Sequence, residues 1–349
     1  MLLRSAIRIV GLAAVAALLL GGCGSDDKPR KSSLATEIVD SIASAVATQV
    51  TATAPEVVSA SEVLKEEDSF KVIADVEEML IVEPKLYAVF DGGVVVYDFE
   101  KESYDVIPAF EKLDAIAFHE GQVYVGGAGF YTVGDSTLQP VDMDFAGHIM
   151  SLYSYGYRLM VGTTSGLYAT GLFGGELLFD EISVSAMTAD ESGLWVGTNG
   201  DGLYRWDGEE FRKRYLLRDT CIFDVVNTLD FKHRHLYVGT PNGFHIYDGG
   251  RWETLTALDG LPADNVRTVD ASEWVILLAT DEGVISYFNG DFMPVKAMEE
   301  TRANALCRRG RKVIAATDGE GIVIKSGNVV RTLVPPDNGL NFNILSLIP

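Results

Sequence analysis

Short glycine-containing turns along the chain carry acidic, amide and hydroxyl side chains at recurring positions. Carboxylate and amide oxygens accept hydrogen bonds from polyhydroxylated ligands and from cationic groups. These turns therefore supply candidate ligand-binding residues, which are Asp91, Thr164, Ser165, Asn199, Asp201, Asn242, Asp281, Glu282, Asp318 and Glu320. Arg218 and Asp264 are further candidates in longer connections. The alternative is that tight turns require Asp, Asn, Ser and Gly for backbone reasons alone.

The sequence contains none of the common motifs of catalytic or metal sites. It has no Gly-x-Ser-x-Gly elbow, no His-Glu-x-x-His and no phosphate loop, and the "GGAG" at 126–129 has no helix after it. The histidines are scattered, and no Cys-x-x-Cys pair is present. We therefore predict no catalytic residue, no metal and no cofactor, and we expect Cys221 and Cys307 to be free thiols.

The net charge of the chain is −22, from 28 Lys and Arg against 50 Asp and Glu. An electrostatic field of this sign repels nucleic acids and anionic membrane surfaces, which excludes both as direct partners of the folded domain. Solubility is the simplest role of the charge.

The first 22 residues have the organisation of a secretory leader. Arg4 and Arg8 precede an apolar run from Ile9 to Leu20, which is short for a permanent transmembrane helix. The following "LGGC" resembles the lipobox of bacterial lipoproteins. That resemblance implies cleavage before Cys23, diacylglycerol on its thiol and anchoring in the bacterial envelope, with the outer membrane favoured over the inner membrane. The alternative is an ordinary signal peptide with a chance cysteine.

Residues 23–62 have the composition of a tether. The segment "GSDDKPRKSS" is polar, and Ile38, Ile42, Val46 and Val50 then form one stripe of a short helix. A helix of this length is marginal in isolation, so we interpret the segment as a flexible spacer. The alternative is that this segment is a helix that binds a partner.

From residue 63 onward one line of sequence recurs. "GLWVGTNGDGLYRWDG" (193–208) and "HLYVGTPNGFHIYDGG" (235–250) show it clearly. The residue after the "LWV"-type triplet is small in all copies but the first, at intervals of 35 to 42 residues. These phase positions are Val89, Gly126, Gly162, Gly197, Gly239, Ala279 and Ala316. Seven copies with this period indicate a repeat architecture.

Each repeat divides into four short strands. In the sixth, 265–271 alternates in polarity, 275–280 is apolar on both faces, and 284–288 is joined to the fourth strand by Asn289-Gly290, a strong hairpin signal. A strand that is buried on both faces needs cover from two sides. The pattern predicts an all-β fold over residues 63–349: a β-propeller of seven blades, each with four antiparallel strands.

The segment "DGLPADNVRTVDASEWVILLATDEGVISYFNG" resembles the two-component regulator propeller repeat, and "ADESGLWVGTNGDGLYRWDG" (189–208) fits the second half of that repeat closely. Such repeats often form the extracytoplasmic sensor part of hybrid kinases. This chain has no kinase or response-regulator segment, so the resemblance implies extracytoplasmic binding without signalling.

Three details of the propeller follow from the repeat. Sheet backbones that approach closely near the axis would favour Gly or Ala at the phase positions, and Val89 then predicts an irregular first blade. Either "SFKVIA" (69–74) or the C-terminal "NFNILSLIP" could close the ring by pairing with the other end. The alternatives are an extra partial blade or a strand that packs outside the ring.

In a propeller the turns between strands 2 and 3 open on the same face as the connections between blades. The candidate residues would therefore converge on the mouth of the central channel. We expect a lipid-anchored, non-catalytic binding or scaffold module for a protein or glycan partner. The alternatives are a propeller-type polysaccharide lyase or hydrolase, which would need coupled titratable groups at the mouth, and an envelope-assembly factor. A scaffold would instead show an exposed apolar or aromatic patch.

The four tryptophans differ in their places within the repeat. Trp195 is expected in the core. Trp206 and Trp252 flank hairpins at the outer side, where they pack at the blade rim or stack on a sugar or a partner.

Overall fold

A computed structural model describes residues 75–171, 174–215, 224–272 and 274–333. The leader (1–22), the tether (23–62) with Cys23, residues 63–74, Arg218, Cys221 and the C-terminal strand candidate lie outside the described residues. Within the described parts, no helix has the length and hydrophobicity needed to cross a bilayer.

The described residues form seven four-stranded antiparallel sheets, which confirms the predicted seven-bladed propeller. The first strands are Val76–Val82, Leu113–His119, Ile149–Tyr155, Val184–Asp190, Thr228–Lys232, Val266–Asp270 and Ala303–Arg309. The second strands are Lys85–Phe90, Gln122–Gly127, Arg158–Thr163, Gly193–Thr198, His235–Thr240, Ile276–Thr280 and Lys312–Thr317. The third strands are Gly93–Asp98, Phe130–Val133, Gly166–Gly171, Leu203–Trp206, Gly243–Tyr247, Gly283–Phe288 and Ile322–Ser326. The fourth strands are Ser103–Pro108, Leu138–Pro140, Gly174–Asp180, Phe211–Tyr215, Trp252–Leu255, Asp291–Pro294 and Val329–Leu333.

The phase position is the penultimate residue of strand 2, and it is crowded by the next blade. A Cβ added at Gly126 would lie 2.6 Å from Ile149 Cγ2, and one at Gly197 would lie 2.5 Å from Val226 Cγ1. The crowding was predicted, but its cause was wrong at these two sites. A side chain at the entry to the next blade, not a sheet backbone near the axis, occupies the space.

Blade 1 is regular, and the prediction of an irregular first blade is wrong. Its four strands pair in the same order as in the other blades. Val89 is fully buried in a cluster that includes Leu113, the entry residue of blade 2. This interface accommodates a valine where the other six have glycine or alanine.

A buried threonine follows the phase residue in blades 3 to 7. Its hydroxyl accepts a backbone N–H from the turn and donates to a glycine carbonyl, as Thr240 Oγ1 does with Asn242 N (3.1 Å) and Gly243 O (3.1 Å). The others are Thr163, Thr198, Thr280 and Thr317. The repeated "GT" therefore builds the turn between strands 2 and 3, because a side-chain hydroxyl satisfies backbone groups that the strands cannot pair.

Blade 7 meets blade 1 through side chains. Asn304 Nδ2 donates to Val76 O at 3.0 Å, and the Arg309 guanidinium forms a two-pronged ion pair with Glu83 at 2.8–2.9 Å. Val76 and Ala316 lie in one buried cluster. Each described blade consists of four consecutive strands. Among the described residues, blades 1 and 7 therefore meet through side chains, and neither blade contains a strand from the other end of the chain.

Candidate functional site

The structure brings the predicted turn residues to one face of the ring, which we call the channel-mouth face. Backbone hydrogen bonds join the turns between strands 2 and 3 to the connections between blades. Thr164 N donates to His148 O (2.9 Å), Asn199 N to Ser183 O (2.8 Å), and Asp318 N to Arg302 O (3.1 Å). The predicted residues on this face are Asp91, Thr164, Ser165, Asn199, Asp201, Asn242, Asp264, Asp281, Glu282, Asp318 and Glu320.

Several of these groups are used inside the protein. Asp281 accepts hydrogen bonds from Asn265 Nδ2 (2.9 Å) and Arg267 Nη1 (3.2 Å). Although partial burial acts to raise it, the pKa of Asp281 is lowered by these two donors. Asp264 Oδ1 accepts the Ala257 N–H at 2.7 Å, which stabilises a connection between blades. Asp281 and Asp264 therefore stabilise the turns and connections of the fold, as the alternative interpretation of these residues predicts.

The residues that line the channel itself were not predicted from the sequence. The residue that follows the buried entry residue of each blade lies at a β-bulge in six of the seven blades, which turns its side chain toward the axis. These channel residues are Glu77, Asp114, Met150, Ser185, Asn227, Arg267 and Asn304, and they line a cavity of about 250 Å³. In the sequence, each of these residues directly follows the apolar entry residue of its blade. An alternating polarity pattern does not reveal a bulge, so the direction of these side chains could not be predicted.

Some channel side chains join one blade to the next. Ser185 Oγ donates to Val226 O at 2.6 Å, and Asn227 Nδ2 donates to Val266 O at 2.8 Å. Each of these carbonyls belongs to the entry residue of the following blade. This part of the channel wall therefore holds the ring together and leaves few donors for a ligand.

An acidic cluster occupies the channel wall at blades 1 and 2. Lys112 Nζ lies 3.1 Å from Glu77 Oε1 and 2.7 Å from Asp114 Oδ1, and His148 hydrogen-bonds to Asp114. Glu78 Oε2 accepts the Ile116 N–H at 2.9 Å. The pKa of Glu78 is raised to about 7, mainly by burial and also by the nearby Asp114, while the hydrogen bond from Ile116 acts to lower it.

The described residues that could act as nucleophiles or metal ligands include Cys307 and the histidines. Within the described ranges, no three His, Cys, Asp or Glu side chains come together as metal ligands. Cys307 is a free thiol whose pKa is raised by burial and by Asp270, which disfavours the reactive thiolate.

Two large apolar side chains project from the channel-mouth face. Phe110, in the connection from blade 1 to blade 2, is 91% exposed, and Leu258, in the connection from blade 5 to blade 6, is 98% exposed. Both connections are fixed to the fold. Ala109 N donates to Gly92 O at 2.8 Å, and a capping box of Thr256 and Asp259 holds the short 3-10 helix Ala257–Asp259 that carries Leu258.

The tryptophans separate into buried and exposed sites. Trp195 is buried in the core, as predicted, and Trp206 is also buried. Trp252 is partly covered and stacks on Tyr247 with ring centroids 4.8 Å apart. Trp274 is 73% exposed and lies on the opposite face of the ring from the mouth.

No family model matches the sequence, and no curated protein matches it. Solved structures do resemble the fold. The extracellular domain of a hybrid two component system from B. thetaiotaomicron has a TM-score of 0.62 at 14% identity, over 74% of this chain and 39% of that one. This chain therefore spans well under half the length of that protein.

Two shorter propellers match along nearly their whole lengths. YCF48 bound to D1 peptide has a TM-score of 0.59 at 11% identity, over 74% of this chain and 94% of that one. The WD40 propeller domain of Doa1 has a TM-score of 0.54 at 13% identity, over 72% of this chain and 96% of that one. At such identities the similarity establishes the propeller fold alone.

Proposed function

We propose that this chain is a non-catalytic binding module of the bacterial cell envelope that offers its channel-mouth face to a protein partner. The lipid on Cys23 anchors it to a membrane, with the outer membrane favoured. The observation that carries the proposal is the pair Phe110 and Leu258. Both side chains are almost fully exposed on connections that are fixed to the fold, so each can contact a partner without rearrangement of the propeller.

The charge of the mouth defines the kind of partner. Asp91, Asp281, Glu282, Asp318 and Glu320 surround the channel, and the whole chain carries a charge of −22. A partner that presents lysine or arginine side chains around an apolar contact complements this face and associates faster at low ionic strength. One of the similar propellers binds a peptide, which is in keeping with a protein partner but is a property of that protein.

The acidic cluster at blades 1 and 2 is the observation that favours the alternative, a lyase or hydrolase. Three features speak against catalysis there. Lys112 forms ion pairs with both Glu77 and Asp114, and the carboxyl of Glu78 in blade 1 accepts a backbone N–H of blade 2. The cavity of about 250 Å³ is also narrow for a polysaccharide.

The test is capture of envelope proteins by the mature chain and by two variants. In the mouth variant, Phe110→Ser is combined with Leu258→Ser. In the matched control, Leu177→Ser is combined with Met293→Ser, because these residues are about half exposed on outer strands away from the mouth. We expect a specific partner to be captured by the wild type and the control, and lost from the mouth variant. Capture of no specific partner, together with turnover of a glycan, would favour the enzyme instead.

A further inference from the structure

The face opposite the mouth has a cleft between blades 5 and 6, which we call the Trp274 cleft. Its volume is about 550 Å³. The turns between strands 1 and 2 and the hairpins between strands 3 and 4 of both blades form its edges. It is therefore separate from the channel-mouth face, and both surfaces can be occupied at once.

One edge of the cleft carries a flat aromatic platform. The indole of Trp274 lies parallel to the His233 ring, with ring centroids 4.0 Å apart and an interplanar angle of 9°. His233 and Arg234 both have left-handed backbone, with φ of 51° and 66°, so the turn that carries the imidazole has a defined shape. The indole is nevertheless 73% exposed, so its outer face is open to a ligand.

A second observation is a polar group that lines the cleft. His235 Nδ1 is bonded to His233 O at 2.9 Å, which leaves the other ring nitrogen of His235 available to the cleft. This nitrogen can form a hydrogen bond with a polar ligand next to the exposed indole.

The walls are apolar and the rim is polar. Trp252, Tyr287 and Phe288 line the walls, and Phe288 is 42% exposed. The rim carries both acceptors and donors, which are Asp248, Glu253, Arg251 and Asn289. The pKa of Asp248 is lowered by backbone N–H groups of Arg251 and Gly250, so its carboxylate remains ionised at neutral pH.

A pyranose ring matches this combination. It has an apolar C–H face that stacks on an indole and an equatorial rim of hydroxyls that both donate and accept hydrogen bonds. The net charge of −22 disfavours an anionic sugar. We propose that the Trp274 cleft is a carbohydrate-binding site for a neutral glycan, with one sugar ring stacked on Trp274 and its hydroxyls bonded to Glu253 and Arg251.

The test uses purified mature chain, in a detergent without a sugar headgroup where the lipid is present. The probes are soluble neutral oligosaccharides of the cello, xylo, manno and chito series. Binding is followed by calorimetry and by tryptophan fluorescence. The variants are Trp274→Ala and Glu253→Gln. The matched control is Tyr157→Ala, because Tyr157 is 83% exposed at the same repeat position in blade 3.

We expect at least one series to bind, and Trp274→Ala to weaken that binding about tenfold or more, the equivalent of about one aromatic contact. Glu253→Gln should weaken it less while keeping the fluorescence change, and Tyr157→Ala should leave it within about twofold of the wild type. Absence of binding by all four series, equal affinity of Trp274→Ala and wild type, or an equal loss in Tyr157→Ala would overturn the proposal. Loss of a captured protein from Trp274→Ala, without sugar binding by the wild type, would instead make the cleft a peptide-docking surface. These results are independent of the partner captured by Phe110 and Leu258.

Discussion

Asn304 in blade 7 donates a hydrogen bond from Nδ2 to the backbone oxygen of Val76 in blade 1, at 3.0 Å and across 228 residues of sequence. Ser185 and Asn227 make the same kind of bond to the entry residues of blades 5 and 6. The junction between the two ends of the described chain therefore uses the device that joins neighbouring blades elsewhere.

Substitution Asn304→Ala should lower the free energy of unfolding by about 1–3 kcal/mol, because it removes the hydrogen bond to the Val76 carbonyl and the one that Asn304 Oδ1 accepts from Arg267 at 2.6 Å. Asn289→Ala is a control at an exposed hairpin, although Asn289 has φ of 53° and its own change should cost less than about 1 kcal/mol. Denaturant unfolding followed by fluorescence measures both. Equal stability of Asn304→Ala and the wild type would show that this bond does not stabilise the ring junction.

The interlocking of blades at the phase position is testable by a size swap. Gly197→Ala should destabilise the fold by about 1–3 kcal/mol, because the added Cβ would lie 2.5 Å from Val226 Cγ1. Adding Val226→Ala should recover part of that loss, since it removes the crowding methyl groups. Gly250→Ala is the control, because its Cβ would approach nothing closer than Asp248 Oδ1 at 3.7 Å. If the double variant loses as much unfolding free energy as Gly197→Ala and Val226→Ala lose together, or more, the proposed packing of Val226 against Gly197 is wrong.

Much of the fold was predictable because every repeat contains the same local structural features. The strand pairs, the phase positions and the hairpin at Asn289-Gly290, with φ of 53° and 93°, are all local or periodic features. The bulges were not predictable, because they shift register without changing the apolar alternation. The stacking of Trp274 on His233 joins residues in different blades, and no local pattern indicates that contact. The exposure of Phe110 was also not predictable, because the sequence around a single phenylalanine in a connection does not indicate whether its side chain is buried.

Glu78 should make stability depend on pH. Its pKa in the folded chain is about 7 against an ordinary 4.5, mainly because of burial, so the folded state holds the proton more tightly than the unfolded state. The stabilisation is fully present below pH 4.5 and is lost as the pH rises through 7. Glu78→Gln, which resembles the protonated form, should match the wild type at pH 4.5 and exceed its stability by about 1–3 kcal/mol at pH 8.

Chemical denaturation of both proteins at several pH values measures this difference. Glu282→Gln, at an exposed turn of the channel-mouth face, is the control and should show no such divergence. Parallel stability curves for wild type and Glu78→Gln between pH 4.5 and 8 would contradict the raised pKa.

The anchor is testable apart from the propeller. Cys23→Ala removes the thiol that would carry the lipid, so the protein should move from the membrane fraction to the soluble fraction. Metabolic labelling with a fatty-acid analogue should mark the wild type and not the variant. Membrane association that persists in Cys23→Ala would count against lipidation.

The most direct measurement of the central claim is amide hydrogen exchange of the mature chain with and without its captured protein partner. We expect slower exchange in the connections around Phe110 and Leu258 and in the turns between strands 2 and 3. Exchange on the opposite face should be unchanged. Protection confined to the opposite face, or no protection at the channel mouth, would contradict the proposal that this face binds the partner.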